Sequence, residues 1–318
     1  MRVAIVATGV MELEGLAGCL GRLFPRHDFQ TVPQRAARPG QRAEPFSQCF
    51  TCRQRPGVTS ELPRNLTKVI QELAGQVYPR RRDAVDFSVV IDDLELFNAD
   101  QPEVVVGAIR EAVRGHLDRA VEGPIERAAL AACLRERVSF HLAVPMTEAW
   151  FFSGGQSLAP NGVPGERQPR LRAGADAELL ETDDPEYTAD DGAQCVQMAD
   201  RNRRRGESRR APWMLAPQPD VPWFTRERHP KAYLQWLCRN PTENSCTTWR
   251  ETEPGAAALR ALDWAAVLED PSHCAYARAL LDDLADALGE PPPFPQGGMI
   301  APLTARKPPS AGALLRNL

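Results

Sequence analysis

Residues 89–95 join a short apolar run to a group of acids, and this segment constrains the fold more than any other. Val-Val-Ile is followed at once by Asp92 and Asp93 and, after one leucine, by Glu95. Such a run is typical of a buried strand in a parallel sheet, and ligands of open α/β sheets bind beyond the carboxyl ends of these strands. The acids are therefore candidate ligands for a hard divalent cation such as Mg²⁺. Acids also favour turns, so one acid that caps an element beside solvated neighbours is an alternative explanation.

Strand and helix patterns alternate through the first half of the chain. Residues 3–7 predict a first strand, which leads through Thr8-Gly9 into a helix with apolar Met11, Leu16 and Leu20. The alternation implies a parallel sheet with crossover connections, so we predict an α/β fold. Further helices are predicted at residues 66–77, 102–117 and 124–137, and a further strand at residues 138–145.

Two more acids follow predicted strands. Glu12 lies in the first helical turn after the first strand, at the sheet edge where Asp92 and Asp93 should emerge. Glu148 lies just beyond the strand at residues 138–145, next to a run of aromatic residues. Glu148 is either an ordinary acid at a helix start or a partly desolvated group directed at a metal or a partner.

The charge balance excludes a chain that attracts nucleic acid over its whole surface. Lysine and arginine total 38 against 42 acids, a formal net charge of -4. The strongest basic cluster is at residues 201–210, and we predict Arg203, Arg204 and Arg205 as phosphate contacts, with a solvated loop as the alternative. Three aromatic residues nearby could stack on bases or tether the loop to the core: Trp213, Trp223 and Phe224.

The cysteines and the hydropathy pattern predict a cytoplasmic protein. The eight cysteines are scattered, and the first residues resemble a buried strand rather than a secretory signal, so reduced thiols are expected. Cys49 and Cys52 form a Cys-x-x-Cys without a second pair at zinc-site spacing, which favours two free thiols over zinc. No apolar run reaches the roughly 18 residues of a membrane span, so no membrane partner is expected.

Composition divides the chain into three predicted parts. Residues 1–152 form the α/β core, and residues 153–228 form a loop-rich, partly flexible insertion with basic and acidic stretches. Residues 229–318 return to helical spacing, beginning at Pro230, and are expected to pack on the core. Residues 35–56 are rich in Arg, Pro and Gln and predict an exposed connection that covers the sheet edge.

The ordered set of motifs resembles a family of uncharacterised bacterial Toprim-like proteins, relatives of nuclease subunits of phage-defence systems. It comprises Gly-x-x-Glu at residues 9–12, the acids at residues 92–95, Pro-x-x-Glu-Ala-Trp at residues 145–150, His-Pro-Lys at residues 229–231 and a C-terminal helical pair. The resemblance covers most of the chain outside the two loop-rich insertions, although no single motif is specific.

The resemblance implies a Rossmann-like Toprim sheet that holds Mg²⁺ or Mn²⁺ for phosphodiester hydrolysis. By position, Glu12, Asp93, Glu95 and Lys231 are the expected catalytic residues. The expected metal ligands are Glu12, Asp92, Asp93, Glu95 and Glu148. Replacing Asp93 by alanine is expected to abolish cleavage and leave the fold intact, because one charge leaves a repulsive cluster.

The chain departs from the family pattern at two positions. Thr8 stands where the family has an acid before the first glycine, and Glu95 stands where it has a second Asp. The alternative function is therefore a catalytically degenerate Toprim scaffold that binds nucleic acid or protein within a larger complex. DNA or RNA and a protein of a defence-type complex are the expected partners. A nucleotide-binding enzyme is disfavoured, because the chain has neither a Walker-type loop nor Gly-x-Gly-x-x-Gly after a strand.

Overall fold

A computed structural model describes residues 1–55, 62–78, 82–120, 123–153, 157–172, 176–193, 195, 211–239, 247–295, 297–308 and 312–318. Its centre is a sheet of four parallel strands in the order β2-β1-β3-β4. The strands are β1 (Arg2–Ala7), β2 (Asp28–Val32), β3 (Phe87–Asp93) and β4 (Val138–Ala143). The prediction of an α/β fold with a parallel sheet is confirmed.

Helices cover both faces of the sheet. In chain order they are α1 (Val10–Leu23), α2 (Arg64–Val77), α3 (Pro102–Ala120), α4 (Pro124–Arg137), α5 (Pro185–Ala189), α6 (Pro230–Leu237), α7 (Ala256–Arg260), α8 (Trp264–Val267) and α9 (Ala275–Leu288). Alternate residues of β1 point into two apolar cores. One core is formed with α2, α3 and α4, and the other with α1 and the helices after residue 229. Burial on both faces explains why β1 and β3 are continuously apolar.

The strand β2 is not predicted by the sequence pattern. Its five residues, Asp28–Val32, are exposed or half-buried, because β2 lies at the edge of the sheet and pairs only with β1 among the described strands. Polar residues are tolerated at such an edge. The apolar run that marks a buried strand is therefore missing here.

The connection at residues 35–55 is not simply exposed, in contrast to the prediction from its composition. Phe46, Cys49 and Phe50 are buried against the α2 side of the sheet, and the Phe46 backbone N–H donates to the Ala7 carbonyl at 2.8 Å. The connection therefore lies against the carboxyl end of β1, where it can supply groups to the site.

The two later parts of the chain share a core with the first strands. Tyr187 and Trp213 are fully buried in the core that contains α1. Helices α1 and α7 are in close contact, because a Cβ on Gly15 would lie only 3.0 Å from the Leu259 side chain. Glycine at residue 15 thus permits this close helix pairing.

The cysteines are not all reduced, so the prediction of reduced thiols is wrong at Cys195. Cys195 is disulfide-bonded, and a disulfide depends on proximity in space that scattered positions along a chain do not reveal. Six of the described cysteines are free: Cys19, Cys49, Cys52, Cys133, Cys238 and Cys274. Within the described ranges, no helix combines the length and apolar character needed to cross a membrane.

The order of the strands creates a crevice between β1 and β3. The chain leaves β1 for β2 on one side of the sheet and then crosses to β3 on the other side of β1. Loops that leave the two adjacent strands therefore diverge, and a crevice opens at their carboxyl ends. The predicted acids lie at this end of the sheet.

Candidate active site

Glu12 is held at the crevice by the tight turn between β1 and α1. The strand ends at Ala7 and the helix begins at Val10, so Glu12 lies in the first helical turn. Its side chain folds back over Gly9, where an added Cβ would lie 2.0 Å from the Glu12 Oε2 atom. Glu12 is only 6% exposed. The glycine of the Gly-x-x-Glu motif therefore leaves room for a buried carboxylate.

Asp92 and Asp93 end β3 and make different contacts. Asp92 accepts a hydrogen bond from the Cys49 backbone N–H at 3.0 Å, and its Oδ1 atom is buried without a hydrogen-bond partner in the structure. Asp93 Oδ1 accepts from the backbone N–H and the hydroxyl of Thr147, at 2.9 and 3.1 Å. Asp93 Oδ2 accepts from Gln48 Nε2 at 2.6 Å. Asp93 thus links the loop after β4 to the 35–55 connection.

Glu95 has a backbone conformation that favours glycine. Its φ is 63° and its ψ is 148°, and its N–H donates to the Pro145 carbonyl at 2.7 Å. A non-glycine residue in this region costs on the order of 1–3 kcal/mol, and such strain is often found at functional sites. The carboxylate is close enough to Glu148 and Lys231 for each to shift its pKa.

Glu148 and Lys231 approach from the 3-10 helix after β4 and from the first turn of α6. A 3-10 helix at Thr147–Phe152 buries Glu148, which is 3% exposed. Lys231 is the second residue of α6, and its Nζ lies 3.9 Å from Glu148 Oε1. Lys231 also forms an ion pair with Glu251. Glu251 is therefore a further acid at the site.

Burial raises the pKa of every predicted acid, and repulsion from neighbouring carboxylates adds to the rise for Glu12, Asp93 and Glu95. Burial, with the carboxylate of Glu148, raises the pKa of Glu12 to about 7, although the Thr147 hydroxyl lowers it in part. Burial, then Glu12 and Glu148, raises the pKa of Asp93 well above its usual range. Burial and the Glu148 carboxylate likewise raise the pKa of Glu95 to about 7. The site therefore holds protons or attracts cations near neutral pH.

Burial and neighbouring charges also shift the pKa values of Asp92, Glu148 and Lys231. Burial raises the pKa of Asp92 to about 6, and burial also raises the pKa of Glu148, against the lowering effect of Lys231. Burial alone would lower the pKa of Lys231. The negative charges of Glu148 and Glu251 have a larger effect, so the pKa of the lysine is raised. Lys231 is thus a permanent cation among carboxylates.

The donors suit a hard divalent cation in kind, but their arrangement is not that of a finished metal site. The acids are oxygen donors, and one Asp92 oxygen is buried without a partner. In the described part of the chain, no three His, Cys, Asp or Glu side chains are arranged so that they could hold a metal ion. Both oxygens of Asp93 already accept hydrogen bonds. Metal binding would therefore require carboxylate side chains to rotate.

The structure brings together the acids selected from the sequence and adds three residues that the sequence patterns did not indicate. Thr147 and Gln48 orient Asp93, and Glu251 holds Lys231. Thr147 could have been suggested by its place just before Glu148, whereas Gln48 and Glu251 carry no sequence signal.

The residues that the sequence suggested for nucleic-acid binding differ in what the structure shows of them. Arg203, Arg204 and Arg205 lie outside the described residues. Trp213 is fully buried in the core, so it offers no surface for stacking. Trp223 and Phe224 are half-buried.

Comparisons of the chain with protein-family models, curated proteins and solved structures gave no match. The functional assignment therefore rests on the geometry and chemistry of this site.

Proposed function

We propose that the chain is a Toprim-like, Mg²⁺-dependent phosphodiester hydrolase, a nuclease or nuclease-like subunit of a bacterial defence or mobile-element system. One observation carries the proposal. Glu12, Asp93 and Glu148 lie at the carboxyl ends of three neighbouring parallel strands, are buried, and are close enough for Glu12 and Glu148 to raise the pKa of Asp93. Such an excess of buried negative charge is stabilised by a bound cation.

Glu12, Asp93 and Glu148 would hold Mg²⁺ or Mn²⁺ at the crevice, with Glu95 and Asp92 beside them. When bound, the cation supplies a water of lowered pKa and neutralises negative charge on the phosphate oxygens. Thr147 and Gln48 keep the Asp93 carboxylate in a fixed orientation. Cation binding would exchange at least one of these hydrogen bonds for a bond to the metal.

Lys231 provides a second positive charge at the site. Because Glu148 and Glu251 raise its pKa, the ammonium stays charged throughout the physiological range. A phosphate group that enters the crevice would gain this charge as an electrostatic contact. The ion pair with Glu251 fixes the position of the lysine.

A second function is favoured by three observations. Thr8 replaces the family acid, both Asp93 oxygens accept hydrogen bonds, and Lys231 already neutralises part of the acidic cluster. These features suit a catalytically degenerate Toprim scaffold that binds a protein partner or nucleic acid in a cytoplasmic complex.

Cation binding and cleavage together test the two functions. Mg²⁺ and Mn²⁺ are titrated calorimetrically into the wild type, Glu12→Gln and Gly21→Ala, and each protein is incubated with labelled DNA and RNA. If the chain is a hydrolase, the wild type and Gly21→Ala should bind the cation and cleave the substrate, and Glu12→Gln should do neither. Absence of binding and cleavage in all three proteins would favour the scaffold.

A further inference from the structure

Three aromatic side chains form a half-exposed surface at the rim of the acidic site. Phe97 and Phe224 are stacked, with ring centroids 4.4 Å apart and an interplanar angle of 24°. Trp223 is adjacent to Phe224 in sequence, and all three rings are half-buried. We call Phe97, Trp223 and Phe224 the aromatic ledge.

The aromatic ledge joins two loops that carry acidic-site residues. The Trp223 indole N–H donates to the Leu96 carbonyl at 3.1 Å, directly after Glu95. On the other side, the Phe224 ring contacts the His229 ring edge-on, with centroids 5.9 Å apart. His229 lies two residues before Lys231. The ledge therefore contacts the residue after Glu95 and the residue that precedes helix α6, which carries Lys231.

An arginine that is paired with an aspartate lies beside the ledge. The Arg53 guanidinium lies over the Trp223 ring, 4.8 Å from its centroid, and two hydrogen bonds to Asp100, of 2.8 and 3.0 Å, hold it there. Arg53 also lines a cavity of about 840 Å³ that includes Arg55, Arg114 and Gln48. Arg53 thus borders both the ledge and this cavity, and Gln48, which also lines the cavity, bonds to Asp93.

We propose that the aromatic ledge binds the bases of single-stranded nucleic acid, next to the phosphodiester bond at the acidic site. The proposal rests on the proposed function and names its substrate class. Aromatic faces stack on any unpaired base, whereas the bases of a duplex are already stacked on one another. Two of the three arginines of the adjacent cavity are paired, Arg53 with Asp100 and Arg114 with Glu111, so Arg55 is the arginine that would meet a phosphate of such a strand.

Paired variants of Trp223 test the ledge without cleavage. Binding of a fluorescein-labelled 12-residue oligodeoxythymidine and of an abasic oligomer of equal length is measured by anisotropy at low salt in EDTA. The proteins are the wild type, Trp223→Phe and Trp223→Leu. Both substitutions remove the N–H bond to Leu96, but only phenylalanine keeps an aromatic face.

The ledge predicts that the wild type and Trp223→Phe bind the thymidine strand on the order of ten-fold more tightly than Trp223→Leu. The abasic oligomer should bind weakly and equally to all three proteins. Equal affinities of the Phe and Leu variants, at matched melting temperatures, would overturn the proposal. So would equal binding of the two oligomers, or no binding of either by the wild type.

Cleavage in Mg²⁺ or Mn²⁺ separates this inference from the proposed function. Binding that depends on the aromatic ring, without cleavage, would support base binding by the ledge and favour the scaffold over the hydrolase. Cleavage with an unchanged KM in Trp223→Leu would support the hydrolase and contradict base binding by the ledge.

Discussion

The Glu12 carboxylate occupies the space beside Gly9 that any larger residue would need. A Cβ at residue 9 would lie 2.0 Å from Glu12 Oε2 and 3.1 Å from its carboxyl carbon. The φ of Gly9 is -140°, a conformation open to all residues, so space rather than backbone strain requires the glycine. The position of the Glu12 carboxylate therefore depends on glycine at residue 9.

Gly9→Ala should displace the Glu12 carboxylate and weaken cation binding by at least ten-fold. The matched control is Gly21→Ala in the same helix, because a Cβ there meets nothing within 4 Å. The control should retain cation affinity and gain up to about 1 kcal/mol of stability, since alanine favours a helix over glycine. Calorimetric titration and urea unfolding of both variants check the expectation. Unchanged cation affinity in Gly9→Ala would show that Glu12 is not a ligand.

The strained backbone at Glu95 predicts that Glu95→Gly is more stable than Glu95→Ala by about 1 kcal/mol. Both variants lose the carboxylate, but only glycine adopts a φ of 63° without a steric cost. Cation affinity should fall equally in the two variants, because it depends on the carboxylate. Urea unfolding measures the difference in stability. An alanine variant as stable as the glycine variant would show that this backbone conformation carries no strain.

The acidic cluster predicts that stability falls as the pH rises. Because burial and neighbouring acids raise the pKa of Glu12 to about 7, the folded chain retains a proton that the unfolded chain releases. This contribution is fully present below the ordinary pKa of a glutamate and is lost as the pH rises through about 7. In EDTA, the wild type should therefore lose more stability between pH 5 and pH 8 than Glu12→Gln does.

The difference between these two proteins should be about 2–3 kcal/mol, since one pKa unit corresponds to about 1.4 kcal/mol. Urea unfolding at both pH values measures it. Parallel pH profiles for the wild type and Glu12→Gln would mean that Glu12 does not retain its proton on folding.

The sequence predicts the fold well where burial is complete. The strands β1 and β3 are marked by apolar runs that both cores require. Helix α4 is largely exposed and still has the predicted bounds, residues 124–137, because proline is favoured in the first turn of a helix. The edge strand β2 is missed, because its half-exposed residues carry no such pattern.

The candidate site is predictable only in part, for a related reason. Acids that follow strands can be read from the sequence, since parallel strands bring their carboxyl ends together. The side chains that orient these acids cannot be read from the sequence. Gln48, for example, lies 45 residues from Asp93 in a segment without periodicity. The positive φ of Glu95 also has no sequence signal, since glycine is the residue expected there.

The hydrogen bonds of Asp93 predict that its replacement by alanine lowers the stability of the fold. The sequence alone predicts that Asp93→Ala leaves the fold intact, but the structure shows that it removes the acceptor of the Thr147 N–H, the Thr147 hydroxyl and the Gln48 amide. An unsatisfied buried donor costs about 1–3 kcal/mol, and Thr147 is 1% exposed.

Asp93→Asn should therefore be more stable than Asp93→Ala by about 1–3 kcal/mol, because its amide oxygen can still accept from Thr147. The Gln48 amide can then rotate so that its oxygen accepts from the new NH₂ group. Both variants lack the charge that the cation needs, so both should lose Mg²⁺-dependent cleavage while only alanine loses stability. Urea unfolding and cleavage assays on the same preparations separate the two effects. Cleavage retained by Asp93→Asn would remove Asp93 from the metal ligands, and equal stability of the two variants would show that its hydrogen bonds do not support the fold.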